Sequence, residues 1–343
     1  MRRIKITLDY IGTAYDGWQR QPDRDTVQKR VEEAIFSLSG ERVSVVASGR
    51  TDAGVHALGQ VAHFDVNAAI PAKNYMTGVN HFLPPDIRIL SAEEAPEDFH
   101  ARFSAHEKTY TYCIYESRFD RACYFNRAAR VEQKLDLKNM KTAAEAFCGT
   151  HDFTSFCSAG ADTTTFTRTI KDIRVARSGG LVKISVTADG FLYNMVRIIA
   201  GTLLKVGTGE WEPEHVKEVL EARNRKEAGQ TAPAKGLTLV GIEYEREIPK
   251  EIIGRNEHWD AVLDQTSLES DGVSRVRIRF SEPEELPRLI RRMVHQAYRN
   301  GAKEVFVTIP DGYEVSETES YGYYRLRRLD DGSYGTGYTG RVL

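Results

Sequence analysis

Cysteine is scarce in this sequence. The four present, Cys113, Cys123, Cys148 and Cys157, form no CxxC pair and do not cluster with histidines. That argues against a disulfide framework and a zinc-ribbon site, and reduced structural thiols are the expectation. Long apolar runs are missing as well. No stretch approaches the ~20 apolar residues that a bilayer-spanning helix needs. The opening "MRRIKITLDY" is charged and strand-like, with no apolar h-region after it. The expectation is a cytoplasmic protein without membrane contact. An excess of one charge is also lacking: the net charge is −2, so the chain as a whole is no polybasic nucleic-acid binder.

What is present is a length of 343 residues with 41% apolar and 28% charged content, enough for two or three domains and a large core. Charge is unevenly spread. Residues 101–205 carry 16 Lys and Arg against 10 Asp and Glu, residues 206–249 are acidic, and residues 250–343 carry 14 against 16. A basic middle on a neutral chain fits a local face that tracks phosphates, although a mixed solvated surface gives the same counts.

Periodicity supplies the elements. "RIKITLDYIG" alternates as a half-buried strand, and "DTVQKRVEEAIFSLSG" places Val27, Val31, Ala34, Ile35 and Leu38 at helical spacing before Gly40. "VSVVAS" and "QVAHFDV" read as strands, "PAKNYMTGVNHFL" as a weaker helix, and "IRILSAEE" as a strand. The order then roughly recurs: strand "KTYTYCIYES", helix "LDLKNMKTAAEAFCGTHDF" with a glycine stop, a hairpin around Ser178-Gly179-Gly180, the apolar helix "YNMVRIIAGTLLKVGTGE" and the strand "LTLVGIEYE". This is an α+β plan in two similar halves, 1–106 and 107–247. After the charged junction "EREIPKEIIGRNEH", residues 250–343 read as an extra α/β module: strand "VSRVRIRF", helix "EELPRLIRRMVHQAYRNG" and strand "KEVFVTIP". The Gly- and Tyr-rich end, "DDGSYGTGYTGRVL", reads as a loop or edge hairpin, because no Lys-Ser/Thr follows its glycines.

One stretch concentrates chemistry. "ASGRTDAGVHALGQ" places Arg50, Thr51 and Asp52 in a row between Gly49 and Gly54. A carboxylate on a tight turn leaving a strand can serve as nucleophile, general base or metal ligand, with glycines letting a substrate approach closely. The plain alternative is an Asx-turn in which Asp52 caps its own loop. His56 and His63 lie within a dozen residues but lack acid or Cys partners at ligand spacing, so hydrogen-bonding roles are expected of them. A second oddity is Arg197 in the apolar "GFLYNMVRIIAGTLL". Buried, it needs an anionic partner, with Asp189 nearby and Asp52 distant, and bidentate pairing suits it; otherwise it reaches solvent. His151 and Asp152 in "GTHDF" are expected to form a helix-terminal turn.

These residues carry a resemblance. The chain resembles the tRNA pseudouridine synthase A family along residues 1 to about 247, through nine motifs in order: "YIGTAYDGWQRQP", "TVQ", "GRTDAGVHA", "VNHFLPPDIRI", "FHARFSAHEKTYTYCIY", "GTHDFTSF", "RTI", "GFLYNMVRIIAG" and "GLTLVGIEY". Ile11 stands where the family often has an acid. The resemblance implies a mixed, mainly antiparallel sheet in two halves flanked by helices. It implies isomerisation of uridine to pseudouridine at positions 38, 39 and 40 in the anticodon stem-loop of tRNA. Asp52 matches the family's catalytic aspartate, Arg197 the arginine paired with it, Tyr110 the tyrosine that stacks on the target base, and Arg50 the arginine thought to displace that base. A homodimer with tRNA crossing both subunits is implied, with neither a metal nor a nucleotide cofactor.

The chemistry is consistent with that. One anion beside sugar and base is required, Arg197 would lower the Asp52 pKa and keep it ionised, and a flipped base needs an aromatic partner. Tyr112, two residues after Tyr110, shares its face and is expected to pack. Two other functions compete. A hydrolase or phosphotransferase could use Asp52 as nucleophile, but the sequence lacks an acidic metal cluster and a phosphate loop. A silent RNA-binding module would require loss of Asp52, Tyr110 or Arg197. Residues 250–343 exceed the family's usual extent; they faintly suggest an acetyltransferase-like fragment without its cofactor loop, so a binding or packing module is expected.

Overall fold

The alternating N-terminal stretch forms β1 (Arg2–Tyr10), whose inward residues Ile4, Ile6, Leu8 and Tyr10 are all buried. The computed structural model describes residues 1–160 and 163–244 and, beyond them, the backbone of strands lying between 255 and 328. Helix α1 (Val27–Ser39) starts where the Thr26 side chain accepts the Lys29 N–H, and it stops at Gly40 in the left-handed region at φ 73°. It buries Val27, Val31, Ala34 and Ile35, the face that its spacing marks. Next come β2 (Val46–Ala47), β3 (His56–Val66), α2 (Ala72–Phe82) and β4 (Ile87–Ala95).

The expected strand over "VSVVAS" shrinks to β2, which pairs with His63 and Ala62 of β3. The reason lies in α1. Its Glu32 carboxylate accepts the Val45 N–H at 3.1 Å, and Gln28 Nε2 donates to the Val45 carbonyl at 3.1 Å. Helix side chains thus satisfy backbone groups that would otherwise need a neighbouring strand.

The second half contributes β5 (Ala105–Glu116), β6 (Ala129–Val131), α3 (Leu137–Glu145), β7 (Gly149–Asp152), β8 (Thr167–Ser178), β9 (Leu181–Ala188), α4 (Met195–Gly207), α5 (His215–Ala222) and β10 (Leu237–Tyr244). Strands β8 and β9 join through Gly179 and Gly180, both at positive φ, as the expected hairpin. His151 and Asp152 sit on the edge strand β7 rather than on a helix-terminal turn. Their roles are local: His151 Nε2 bonds the Cys148 carbonyl, and Asp152 accepts from Thr154. Helix α5 has no counterpart among the sequence-based elements.

The strands form one sheet in the order β4-β1-β3-β10-β5-β9-β8-β7. Along that order every pairing is antiparallel except β3–β10. The last strand of this unit is therefore inserted at the middle of the sheet. It pairs with β3 through Thr238↔His56 and with β5 through Leu237↔Tyr112. Helices α1 and α2 cover one half, α3 and α4 the other, and a continuous apolar core joins them. This is the α+β plan with a mainly antiparallel sheet.

The chain divides into two compact units, Met1–Glu245 and Arg246–Leu343. In the second, β11 (Arg255–Asn256), β12 (Trp259–Thr266), β13 (Val273–Phe280) and β14 (Glu304–Thr308) make a sheet in that order, with β13 and β14 parallel. Strands β15 (Tyr313–Thr318) and β16 (Tyr323–Arg328) pair with each other. The helix expected between β13 and β14 and the Gly- and Tyr-rich end fall outside the described residues.

Segment 229–232 lies directly on α4. A Cβ added to Gly201 would come within 1.8 Å of the Gln230 carbonyl oxygen, and Thr202 Oγ1 accepts the Gly229 N–H at 3.0 Å. Gly201→Ala should destabilise the fold by about 3 kcal/mol or more, because overpacking here meets backbone rather than a movable side chain. Chemical denaturation of the variant checks this; an unchanged midpoint would mean that the segment yields.

Candidate active site

Residues 48–55 carry Asp52 between β2 and β3, and neighbouring elements hold this loop. Ser48 N–H donates to the Val61 carbonyl, Trp18 N–H donates to the Thr51 carbonyl, and the Tyr10 hydroxyl bonds Thr51 Oγ1 at 2.7 Å. Asp52 closes a turn in which its carbonyl accepts the Val55 N–H, and Gly54 takes φ 79°. A loop fixed this way presents a side chain with little freedom left to lose. The carboxylate faces a cavity of about 840 Å³, also lined by Arg50, Lys108, Tyr110, Phe191 and Asn194.

Arg197 enters from the first turn of α4. Its Nη1 donates to Asp52 Oδ2 at 3.3 Å and to Asn194 Oδ1 at 2.6 Å, while Nε donates to the Ala232 carbonyl at 2.8 Å. The Arg197 carbonyl in turn accepts the Ala232 N–H at 3.1 Å, so segment 229–232 clasps this residue on both sides. The long-range partner is thus Asp52, 145 positions away, whereas Asp189 accepts the Thr169 N–H. The pairing is not the bidentate fork that the sequence suggested, because the guanidinium divides its donors among three acceptors. Nor does Asp52 cap its own turn: the carboxylate is paired across the fold.

The side chains of Arg197 and Asp52 are 17% and 28% exposed, which places the pair between a dry interior and open surface. Burial pushes the Asp52 carboxyl above its ordinary range. Arg197 opposes this by charge and hydrogen bond without cancelling it. Arg197 lowers the pKa as expected, but burial, which the sequence does not show, is the larger influence.

Tyr110 is buried on β5, its ring edge-on to Phe191 at 5.1 Å and 86°. Burial, reinforced by Tyr10 and the Asp52 charge, pushes its hydroxyl strongly upward, so it stays protonated near neutrality. Tyr112 is fully buried and donates to the Pro233 carbonyl at 2.8 Å, a packing role. Arg50 lies at the cavity wall, its Nε on Gln19 Oε1 at 3.1 Å. Asp52, Tyr110 and Arg50 therefore share one cavity, and Arg197 reaches it through Asp52.

The histidines do other work. Gly12 N–H donates to His56 Nδ1 at 3.0 Å, which leaves Nε2 as donor to the Lys235 carbonyl at 3.2 Å. Burial lowers the His56 pKa and favours this neutral form. His63 Nδ1 accepts the Ala101 N–H at 3.1 Å. No group of three or more His, Cys, Asp or Glu suited to a metal ion occurs among the described residues.

Sequence reasoning missed two features. One is the clasp at 229–232, which has no charged or periodic signal. The other is Lys108, hidden in the "KTYTY" motif two residues before Tyr110 and therefore on the same strand face.

A sequence model of the family described as tRNA pseudouridine synthase matches residues 6–104 and 143–245. The chain is 47% identical over 244 residues to tRNA pseudouridine synthase A of Acetivibrio thermocellus, covering 71% of this chain and 100% of the relative. It is 48% identical over 244 residues to tRNA pseudouridine synthase A 2 of Clostridium perfringens, with the same coverage. With tRNA pseudouridine synthase A of Bacillus subtilis it shares 44% over 245 residues, 71% of this chain and 99% of the relative. The family match ends at residue 245, where the first compact unit also ends.

The electrostatics can be measured without any substrate. In a carbon-13 titration, the Asp52 carboxyl of the native protein should have a midpoint above the ordinary aspartate value. Arg197→Gln should raise that midpoint further, since the lowering influence is gone while burial stays. A midpoint below the ordinary value in the native protein would show that the cation, not burial, dominates.

Proposed function

The chain belongs to the tRNA pseudouridine synthase family, and on that premise we propose that it isomerises uridine to pseudouridine in tRNA. The target lies in the anticodon stem-loop, at positions 38, 39 and 40 of the tRNA. The observation that carries this reading is the Asp52–Arg197 pair at 3.3 Å, opening onto a cavity that also holds Tyr110.

The reaction gains and loses no atoms. The glycosidic C1′–N1 bond breaks, a C1′–C5 bond forms, and the C5 proton is replaced by one on N1. Attack on the sugar, attack on the base and abstraction of a sugar proton all require an anion beside sugar and base. Asp52 supplies it in each case. Burial makes its carboxylate more basic, and Arg197 keeps it ionised enough to act and holds its orientation. A uridine must leave its stack to reach a cavity of this size, and Tyr110 offers the flat partner on which the displaced base rests. Its protonated hydroxyl carries no charge to repel the uracil. Arg50, which lines the cavity, fills the gap that the base leaves behind.

The enzyme works as a homodimer with tRNA crossing both subunits, and it uses neither a metal nor a nucleotide cofactor. Residues 1–106 and 107–247 form the two halves of the synthase core, and 250–343 form an extra module outside the chemistry.

Asp52→Asn preserves shape and removes the charge. It should bind tRNA within about threefold of native affinity yet release C5 hydrogen from labelled tRNA at below about 1% of the native rate. Turnover of several per cent by this variant would contradict the assignment. Arg197→Lys should lose at least about tenfold in kcat, ~1.4 kcal/mol of barrier, because an ammonium cannot serve Asp52, Asn194 and Ala232 together. Near-normal kcat would mean that the pairing is dispensable. A chain ending at Glu245 should keep its turnover, since every residue assigned to chemistry precedes that point; a folded but inactive truncation would place the extra module in the site.

A further inference from the structure

Lys108 is a cavity residue that the proposed chemistry leaves unused. It sits on β5 two positions before Tyr110 and lines the same cavity. Its Nζ donates to the Ser48 carbonyl at 2.7 Å. An ammonium carries three N–H donors and a full charge, and a single carbonyl neutralises none of it. Among the described residues no carboxylate pairs with Lys108, and the cation Arg102 lines the same cavity. Taking an ammonium from water without a counter-charge is costly. The protein shows that cost: burial, with Arg102 second, lowers the Lys108 pKa to about 8. Of the two acids lining this cavity, Asp52 is engaged by Arg197 and Asp16 by Arg24, so neither answers the lysine.

Lys108 is half-buried and paired with no described carboxylate, and Arg102 lines the same cavity along with Arg24, Arg50 and Arg168, which makes this wall a subsite for an anion. The substrate proposed above brings one such group with every nucleotide. We infer that Lys108, with Arg102, binds a phosphodiester of the RNA strand that delivers the target uridine to Asp52. The inference rests on the functional reading above and names a subsite within that same site. Its geometry suits the task. Lys108 and Tyr110 share a strand face, so an RNA backbone gripped at the lysine delivers its base toward the tyrosine two residues further on. Gly49, whose added Cβ would lie 3.4 Å from Nζ, keeps the approach to the ammonium open.

The test compares Lys108→Met and Lys108→Arg with the native enzyme, using unmodified tRNA transcript as the probe. Lys108→Met keeps the length of the half-buried stem and removes the charge. It should weaken tRNA binding about tenfold and reduce the slope of log affinity against log salt by about one, the signature of a single lost phosphate contact. Its loss in turnover should fall mainly on KM. The pH dependence separates a direct contact from a packing role. A lysine that must be protonated to hold phosphate should lose affinity as pH rises from 7 to 9, through its value of about 8. Asp16, Arg24, Arg50, Asp52, Arg168 and Tyr110 line the cavity too. Lys108→Arg keeps them all and a permanent charge, so it should flatten the fall in affinity while retaining the native salt slope.

An unchanged salt slope in Lys108→Met would overturn the subsite, as would a pH dependence identical in native and Lys108→Arg proteins. A large loss in kcat with native affinity would also overturn it, since the lysine would then act on the departing uracil. Pseudouridine formation by the native enzyme, measured alongside, tests the functional reading separately from these outcomes.

Discussion

The site depends on one insertion: strand β10 enters the sheet between β3 and β5, and the segment leading into it, residues 229–236, is threaded past the residues that support the site. That segment clasps Arg197 through Ala232, receives the Tyr112 hydroxyl at Pro233 and the His56 ring at Lys235. It also packs on Gly201 so closely that no side chain fits there. The loop before β3 carries Asp52, and β5 carries Lys108 and Tyr110. Pairing β10 with both strands sets the distance between these groups, and the clasp sets the reach of Arg197. The Asp52–Arg197 contact is thus the local result of a sheet-wide arrangement, which explains how residues 145 positions apart meet.

The cavity places opposite demands on its two charged neighbours. Burial pushes Asp52 up and Lys108 down, each toward its neutral form. Arg197 restores the carboxylate in part, whereas no described acid restores the lysine. Holding a carboxylate and an ammonium half-buried is a cost that packing must offset. Tyr110, two residues from Lys108 on β5, is kept protonated by the same burial. The wall is therefore a line of groups whose charge states are set by the fold before any substrate arrives.

Much of this was legible in the sequence because the local signals agree with the global structure. The spacing of Val27, Val31, Ala34 and Ile35 marks α1, Gly40 ends it, and Gly179-Gly180 marks the β8–β9 hairpin. Asp52 and Arg197 stood out because each breaks its local pattern, one an acid in a glycine-flanked turn and the other a cation in an apolar helix. The misses have physical causes. Val45 has its backbone satisfied by Gln28 and Glu32, a tertiary override that alternation cannot show. Segment 229–232 works through main-chain groups, and backbone hydrogen bonding leaves no residue signature. The balance at Asp52 could not be read either, because it depends on how deeply the loop is buried, and burial is a property of the assembled sheet.

The most direct measurement is a map of pseudouridine in bulk tRNA from cells with and without this gene. The account predicts that the modification disappears from the anticodon stem-loop, and that restoring the native gene recovers it while the Asp52→Asn gene does not. An unchanged map in cells lacking the gene, or full recovery with the Asn variant, would contradict it.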